Sequence, residues 1–145
     1  FSSDFIIGYP EESEDDFKYT MELIEKIKFI NSYSFIYSPR PGTVAADLKL
    51  IDKKKSKERL EKIQKKLFKN QINKNKSLEG KILNVLVENK MKDGVKLFGR
   101  TEYMTSVIFD GSTDFIGKVV QIEITSSNQN SLFGTLNEKY KQKVA

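Results

Sequence analysis

At Leu78 the hydrophobic period of this 145-residue chain changes from that of a helix to that of a strand. Periodicity is the strongest local signal a single sequence carries, so this switch divides the chain into two kinds of structure. Beyond it, Lys81–Glu88 alternates, with Leu83, Val85 and Val87 on one face. Val95–Arg100, Ser106–Phe109, Ile116–Thr125 and Leu132–Leu136 follow as short strands. Asp93-Gly94, Asp110-Gly111-Ser112 and Ser126–Ser131 supply the turns between them. Short strands in close succession, with no helical stretch between them, predict a small closed or nearly closed five-stranded barrel of the oligonucleotide-binding kind. The residues after Asn137 are polar and predict a frayed tail.

Before the switch, residues 1–38 read as strand, helix, strand. Phe5-Ile6-Ile7, closed by Gly8-Tyr9-Pro10, suits a strand buried on both faces. Ser13 with Asp16 forms a capping box, and Phe17, Met21, Ile24 and Ile27 recur at helical spacing to about Lys28. Tyr33–Tyr37 is the next strand, which makes the segment a βαβ unit of a parallel sheet. Such a two-strand piece has unpaired edges and an uncovered face, so it predicts partner strands upstream. Phe1–Ile7 itself reads as the middle of a buried strand, and the chain is expected to be a fragment whose natural start precedes Phe1. From Ser56 to about Asn75 a long helix is expected, with Leu60, Ile63 and Leu67 in a narrow stripe and Phe68 and Ile72 beside it. Glu58–Lys62 and Glu61–Lys65 are spaced as supporting ion pairs, and the helix reads as a basic connector leaning on a domain.

The charge is unevenly spread. Residues 48–76 hold 12 basic and 3 acidic side chains, whereas residues 1–47 hold 4 and 9. A positive block of this kind suggests a polyanion partner; a solvated Lys-rich face is the competing reading. The chain contains neither Cys nor His, which excludes disulfides, Cys/His metal sites and imidazole or thiol catalysis from these residues. No apolar run approaches membrane-spanning length, and the first residues lack the basic start of a secretory signal. A cytoplasmic location is the expectation.

Gly8-Tyr9-Pro10-Glu11-Glu12-Ser13 is a strand-to-helix turn at which backbone and carboxylate can approach the amine or ribose of a cofactor; capping of the helix is the alternative. Arg40, between two prolines, sits at the C-terminal edge of the second strand, where α/β sheets bind ligands. In the barrel, Phe98-Gly99-Arg100-Thr101 ends one strand and Asn130-Ser131-Leu132-Phe133-Gly134 begins another. At least two of Phe98, Phe109 and Phe133 are expected in the core, with Arg100 the better candidate for RNA contact. Lys81 in the barrel and Arg59, Lys62 and Lys66 on the helix complete the RNA-binding candidates.

Together these stretches resemble the radical-SAM methylthiotransferases. Ser3-Asp4-Phe5-Ile6-Ile7-Gly8-Tyr9-Pro10-Glu11-Glu12-Ser13 is similar to the family's S-D-x-I-V-G-F-P-G-E-T, and Tyr33–Thr43 to its Y-S-F-x-Y-S-P-R-P-G-T. Gly99-Arg100-Thr101, Val107-Ile108-Phe109, Ile116-Gly117 and Asn130–Gly134 resemble the TRAM domain, an RNA-binding module. Glu11 stands where the family usually has Gly, Ser13 where it has Thr, and Val44 where Pro commonly follows. The fold class implied is α/β plus all-β: the C-terminal piece of a radical-SAM (β/α) partial barrel with its basic connector helix over 1–73, an OB-like TRAM barrel over 74–138, and a polar tail over 139–145.

The resemblance further implies a two-stage reaction at C2 of N6-isopentenyladenosine, tRNA position 37. S-adenosylmethionine and two 4Fe-4S clusters would serve it in the full-length enzyme, with the cluster cysteines upstream and absent here. Gly8, Pro10, Glu12 and Arg40 would lie at the cofactor edge; Arg100, Lys81, Arg59, Lys62 and Lys66 would hold the anticodon arm of a monomeric enzyme's tRNA. This fragment alone should be inactive. Alternatives are relatives acting on threonylcarbamoyladenosine or a ribosomal protein, an RNA-binding module without catalysis, and an unrelated translation-factor-like barrel.

Overall fold

The computed structural model describes residues 1–92 and 94–137. Asp93 of the expected Asp93-Gly94 turn and the tail from residue 138 onward lie outside the described residues. The chain forms two compact units, one over Phe1–Gln71 and one from Ile72 onward. The elements are β1 (Asp4–Ile7), α1 (Glu14–Ile27), β2 (Tyr33–Ile36), α2 (Lys53–Lys76), β3 (Ile82–Lys90), β4 (Lys96–Thr101), β5 (Ser106–Asp110), β6 (Val119–Ser127) and β7 (Ser131–Leu136).

In the first unit β1 and β2 pair in parallel, Asp4 opposite Tyr33 through Ile7 opposite Ile36. α1 begins on the expected capping box: the Asp16 amide donates to the Ser13 hydroxyl, and the Ser13 amide to the Asp16 carboxylate. Phe5, Ile7, Phe17 and Ile24 meet Ile63 and Leu67 of α2 in one core. α2 is therefore a wall of this unit and not a connector leaning on it. Phe68 and Ile72, beside its stripe, are exposed. β1 is buried on one face only: Ile6 is 58% exposed, as is Phe35 of β2 at 53%. The uncovered apolar face expected of an isolated βαβ piece is present.

The β1–α1 connection is a turn with Pro10 at its second position, Glu11 at its third and a hydrogen bond from the Glu12 amide to the Tyr9 carbonyl. Glu11 has φ 66°, the left-handed conformation that a type II turn requires at that place and that favours Gly. Glu11 is thus a strained residue at a position that favours Gly. Glu11→Gly is expected to raise stability by about 0.5–1 kcal/mol, read as a higher thermal midpoint.

The second unit is a closed barrel of strand order β3-β4-β5-β7-β6, all neighbours antiparallel except β5 and β7. Val85, Val87, Leu97, Val107, Phe109, Val120, Ile122, Ile124 and Leu132 fill it, with Leu78 at the end of α2 closing the core. Closing so few strands demands sharp corners, and two are visible. Register slips between Val87 and Asn89 in β3, opposite Gly99, and between Ile124 and Ser126 in β6, beside Gly134. A Cβ on Gly99 would strike the Leu86 carbonyl oxygen, and one on Gly134 the Glu123 carbonyl oxygen. Each corner is a bulge facing a glycine, because only glycine lets the two backbones approach that closely. The β6 strand begins at Val119 and not at Ile116, since Thr113–Phe115 winds into a 3-10 turn ended by Gly117 at φ 81°.

Candidate nucleic-acid interface

In the first unit much of the positive block answers acid within the same unit. Arg59 is buried, and its guanidinium lies over the Phe17 ring at 5.2 Å. It donates to the carbonyl and carboxylate of Glu12, to the Ser13 carbonyl at 3.0 Å and to the Glu14 carboxylate at 2.9 Å. Glu12 also accepts from the Gly8 amide at 3.2 Å. Arg59 is thus turned onto acceptors of its own unit, and the Glu12 carboxylate onto Arg59 and the Gly8 amide. Gly8 and Pro10 are buried, and the open side of Gly8 is occupied by Ser56 of α2, whose Oγ a Cβ would meet at 2.5 Å. The structure thus brings Gly8, Glu12 and Arg59 together as a clamp on the start of α1. Arg40 is exposed in its loop, where its carbonyl accepts from the Thr43 amide and hydroxyl.

Lys66 bonds Glu25 at 2.7 Å and Lys55 bonds Glu14. Among the described residues neither Glu58–Lys62 nor Glu61–Lys65 closes into an ion pair; the contacts of α2 run to α1 instead. Lys62 is exposed. Glu14 is held below the usual carboxylate range, first by the Lys55 hydrogen bond and then by Arg59. Asp16 is lowered by the Ser13 hydroxyl, and Glu25 by Lys66. Depressed folded values stabilise above the unfolded values and lose that contribution as pH falls through the folded ones. The urea midpoint of this unit is therefore expected to hold from pH 7 to about 5 and to decline below about 4, less steeply in Glu14→Gln.

In the second unit the candidates lie on the outside of the barrel. Along β4, Leu97, Gly99 and Thr101 point inward, so Lys96, Phe98 and Arg100 point outward. Phe98 pairs with Ile108 of β5, and Ile108 with Phe133 of β7. Arg100 pairs with Ser106, and Ser106 with Ser131. The result is an apolar row, Phe98–Ile108–Phe133, beside a polar row, Arg100–Ser106–Ser131. Of the three phenylalanines only Phe109 is core, against the expectation of at least two; Phe98 and Phe133 are half-buried on the outer face. The Arg100 guanidinium lies over the Phe98 ring at 5.6 Å and reaches Glu88, at the β3 bulge, at 3.3 Å. Lys81 is exposed where β3 begins. Beside the β4–β5 turn, Lys74 lies over the Tyr103 ring at 5.6 Å. Sequence reasoning missed Ile108 and Phe133 as outer-face residues; the alternation of β5 and β7, carried through Gly134 as an inward position, holds the signal.

Among the described residues no helix is long and apolar enough to cross a membrane. Residues 76–136 match the TRAM domain family. The whole chain is 81% identical to a tRNA-2-methylthio-N(6)-dimethylallyladenosine synthase of Pelagibacter ubique, of which it covers 32%. Proteins of the same name from Ruthia magnifica and Yersinia pestis are 48% and 44% identical over 93% of this chain, which covers 31% and 29% of them. The chain thus spans about a third of the length of the curated relatives it matches. A solution structure of a conserved protein of Methanococcus maripaludis matches 40% of this chain and 77% of its own at 21% identity and TM-score 0.35, a likeness too slight to bear on the fold. Over its whole length this chain is similar to a part, about a third, of those synthases, and within it residues 76–136 match the TRAM domain family.

Proposed function

We propose that this chain is the RNA-holding part of an enzyme that methylthiolates C2 of N6-isopentenyladenosine at tRNA position 37. The observation that carries the reading is identity of 81% along the whole chain with a synthase of that specificity, joined to a barrel whose outer face presents Arg100. Arg100, Lys81 and Lys62 contact phosphates of the anticodon arm, and Lys66 joins them when Glu25 is displaced. An exposed ion pair such as Arg100–Glu88 contributes little and yields readily to a phosphate. Arg59 acts at one remove, by fixing α1 and α2 to each other.

In the full-length enzyme S-adenosylmethionine and two 4Fe-4S clusters, when bound, would supply the radical, the sulfur and the methyl group. No cluster thiolate comes from this chain, which has no Cys, so these residues do not fit a cluster site. Gly8, Pro10 and Arg40, at the C-terminal edge of the β1–β2 pair, border the S-adenosylmethionine site, and Glu12 holds that turn from beneath. The enzyme works as a monomer in the cytoplasm. Nucleoside mass spectrometry of tRNA from cells lacking the gene tests the reading. The expected result is loss of the 2-methylthio group with accumulation of N6-isopentenyladenosine; an unchanged methylthio content would overturn it.

A further inference from the structure

We infer that the Tyr37 hydroxyl, at the C-terminal edge of the β1–β2 pair, is a further binding group for an adenosine moiety, held unpaired under Tyr9 until that ligand arrives. This rests on the reading above, which brings both S-adenosylmethionine and the target nucleoside to that edge. Two buried side-chain polar atoms lack a hydrogen-bond partner among the described residues, the Tyr37 hydroxyl and the Arg59 Nε. Arg59 bonds Glu12, Ser13 and Glu14 through its other two nitrogens, so its Nε is one unmet donor in a group that is otherwise satisfied. Tyr37 has a single polar side-chain atom, and that atom bonds nothing. Burial takes such a hydroxyl out of water with no bond in return, a cost that folded proteins rarely keep without a functional reason.

Its position suits a ligand. The Tyr37 amide donates to the Ile7 carbonyl at 2.8 Å, so the residue carries β2 one step further, beside the last residue of β1. That end of parallel strands is where α/β sheets bind ligands. Tyr9, in the turn that leaves β1, is 48% exposed. Its ring stands edge-on to the Tyr37 ring, with centroids 5.1 Å apart. The same turn holds Glu11 at φ 66°. A strained turn, an unmet donor and a solvent-exposed ring thus meet at one edge of the sheet. Strain and unsatisfied polar groups collect where binding, and not stability, has set the residues. Pro39 and Pro41 follow within four positions and stiffen the segment on which the Tyr37 ring is carried.

The chemistry of the pair narrows the ligand. A phenolic hydroxyl both donates and accepts, and the two rings around it offer an apolar surface. Among the described residues no arginine or lysine lies over either ring, and the Glu12 carboxylate of the same turn is engaged by Arg59 and the Gly8 amide. An uncharged planar heterocycle, with donors and acceptors along its rim, matches that surface better than a phosphate or a carboxylate does. Adenine has this chemistry whether it arrives on the cofactor or on the target nucleoside. An exposed side chain such as Tyr9 changes rotamer within nanoseconds. Its departure uncovers the hydroxyl, which then bonds the rim of the base.

The test uses the full-length protein with Tyr37→Phe, which removes the hydroxyl and keeps the ring. Two probes separate the two sources of adenosine: S-adenosylmethionine, by equilibrium dialysis, and an anticodon stem-loop carrying N6-isopentenyladenosine, by fluorescence anisotropy. Affinity for at least one probe is expected to fall about tenfold, and the probe that loses it names the source. The ligand-free variant should at the same time melt at a higher temperature than the wild type, because a buried hydroxyl without a partner has been removed. A tyrosine that merely supports the fold would move the two readouts together, losing stability along with affinity. In a Tyr9→Ala background, where water reaches the hydroxyl, Tyr37→Phe should no longer raise the melting temperature; the same rise in both backgrounds removes Tyr9 as the cover. Unchanged affinity for both probes, or a melting temperature that stays or falls in Tyr37→Phe, overturns the inference. If the wild-type protein binds the probes and Tyr37→Phe binds them equally well, only this site falls. If the wild-type protein binds neither probe, the reading above falls with it.

Discussion

Replacing Arg59 with alanine is expected to cost about 3–5 kcal/mol, because it leaves the Glu12 carboxylate uncompensated in a site from which water is nearly excluded. The Arg59 side chain is 3% exposed and that of Glu12 9%. The guanidinium also bonds the Glu12 and Ser13 carbonyls, so its loss strips acceptors at the start of α1 and uncovers the Phe17 ring. Arg59→Lys should recover little, since one ammonium cannot serve carboxylates and carbonyls in the planar arrangement that the guanidinium meets. Arg59→Met combined with Glu12→Leu should recover most of the loss, because removing both charges avoids the stranded carboxylate. Urea unfolding, with hydrogen exchange followed over residues 1–71, reads all three. A loss under 1 kcal/mol in Arg59→Ala would mean that the pair is solvated and that the clamp does not hold α1.

Gly134→Ala and Gly99→Ala are each expected to destabilise the barrel by about 3 kcal/mol. The added methyl would press on backbone, which cannot rotate away: the Glu123 carbonyl for Gly134 and the Leu86 carbonyl for Gly99. Ile122 Cγ2 and Val85 Cγ1, at 2.6 and 2.7 Å, block the remaining directions. Gly117→Ala is the control. It meets nothing within 4 Å and bears only the strain of φ 81°, about 1 kcal/mol. Thermal unfolding of the three variants separates crowding at a corner from backbone strain. Equal small losses in all three would show that the corners are open.

The barrel was legible because its strands are amphipathic and short, and period two survives in every one of them. Its corners were half legible: Gly99 and Gly134 are visible in the sequence, but the bulges that face them are properties of pairing. The outward placement of Phe98 and Phe133 follows from strand phase once each glycine is counted as an inward residue; read as large apolar side chains they suggest core. Ile116 looks like a strand residue, but β6 starts only at Val119, because Gly117 makes the positive-φ turn that precedes it.

The first unit was read well where signals are local. The capping box of α1 joins residues three apart, and the pairing of β1 and β2, though between distant residues, follows from the strand–helix–strand pattern of a single connection. The Arg59–Glu12 clamp joins residues 47 positions apart, and no local pattern announces it. Without that contact the basic block looked like one solvated surface. In the structure Lys55, Arg59 and Lys66 answer Glu12, Glu14 and Glu25, and the cations available to a polyanion are fewer than the sequence suggests. For the same reason α2 read as a connector, although Ile63 and Leu67 complete the core beneath β1 and α1.

That the outer face of the barrel holds tRNA is tested most directly by measuring the tRNA affinity of the full-length protein with Arg100 and with Arg100→Ala across a salt series. A guanidinium on a phosphate predicts weaker binding at every salt concentration and a slope of log affinity against log salt reduced by about one unit. An unchanged affinity and slope, in a variant that melts like the wild type, would place the RNA elsewhere and contradict the account.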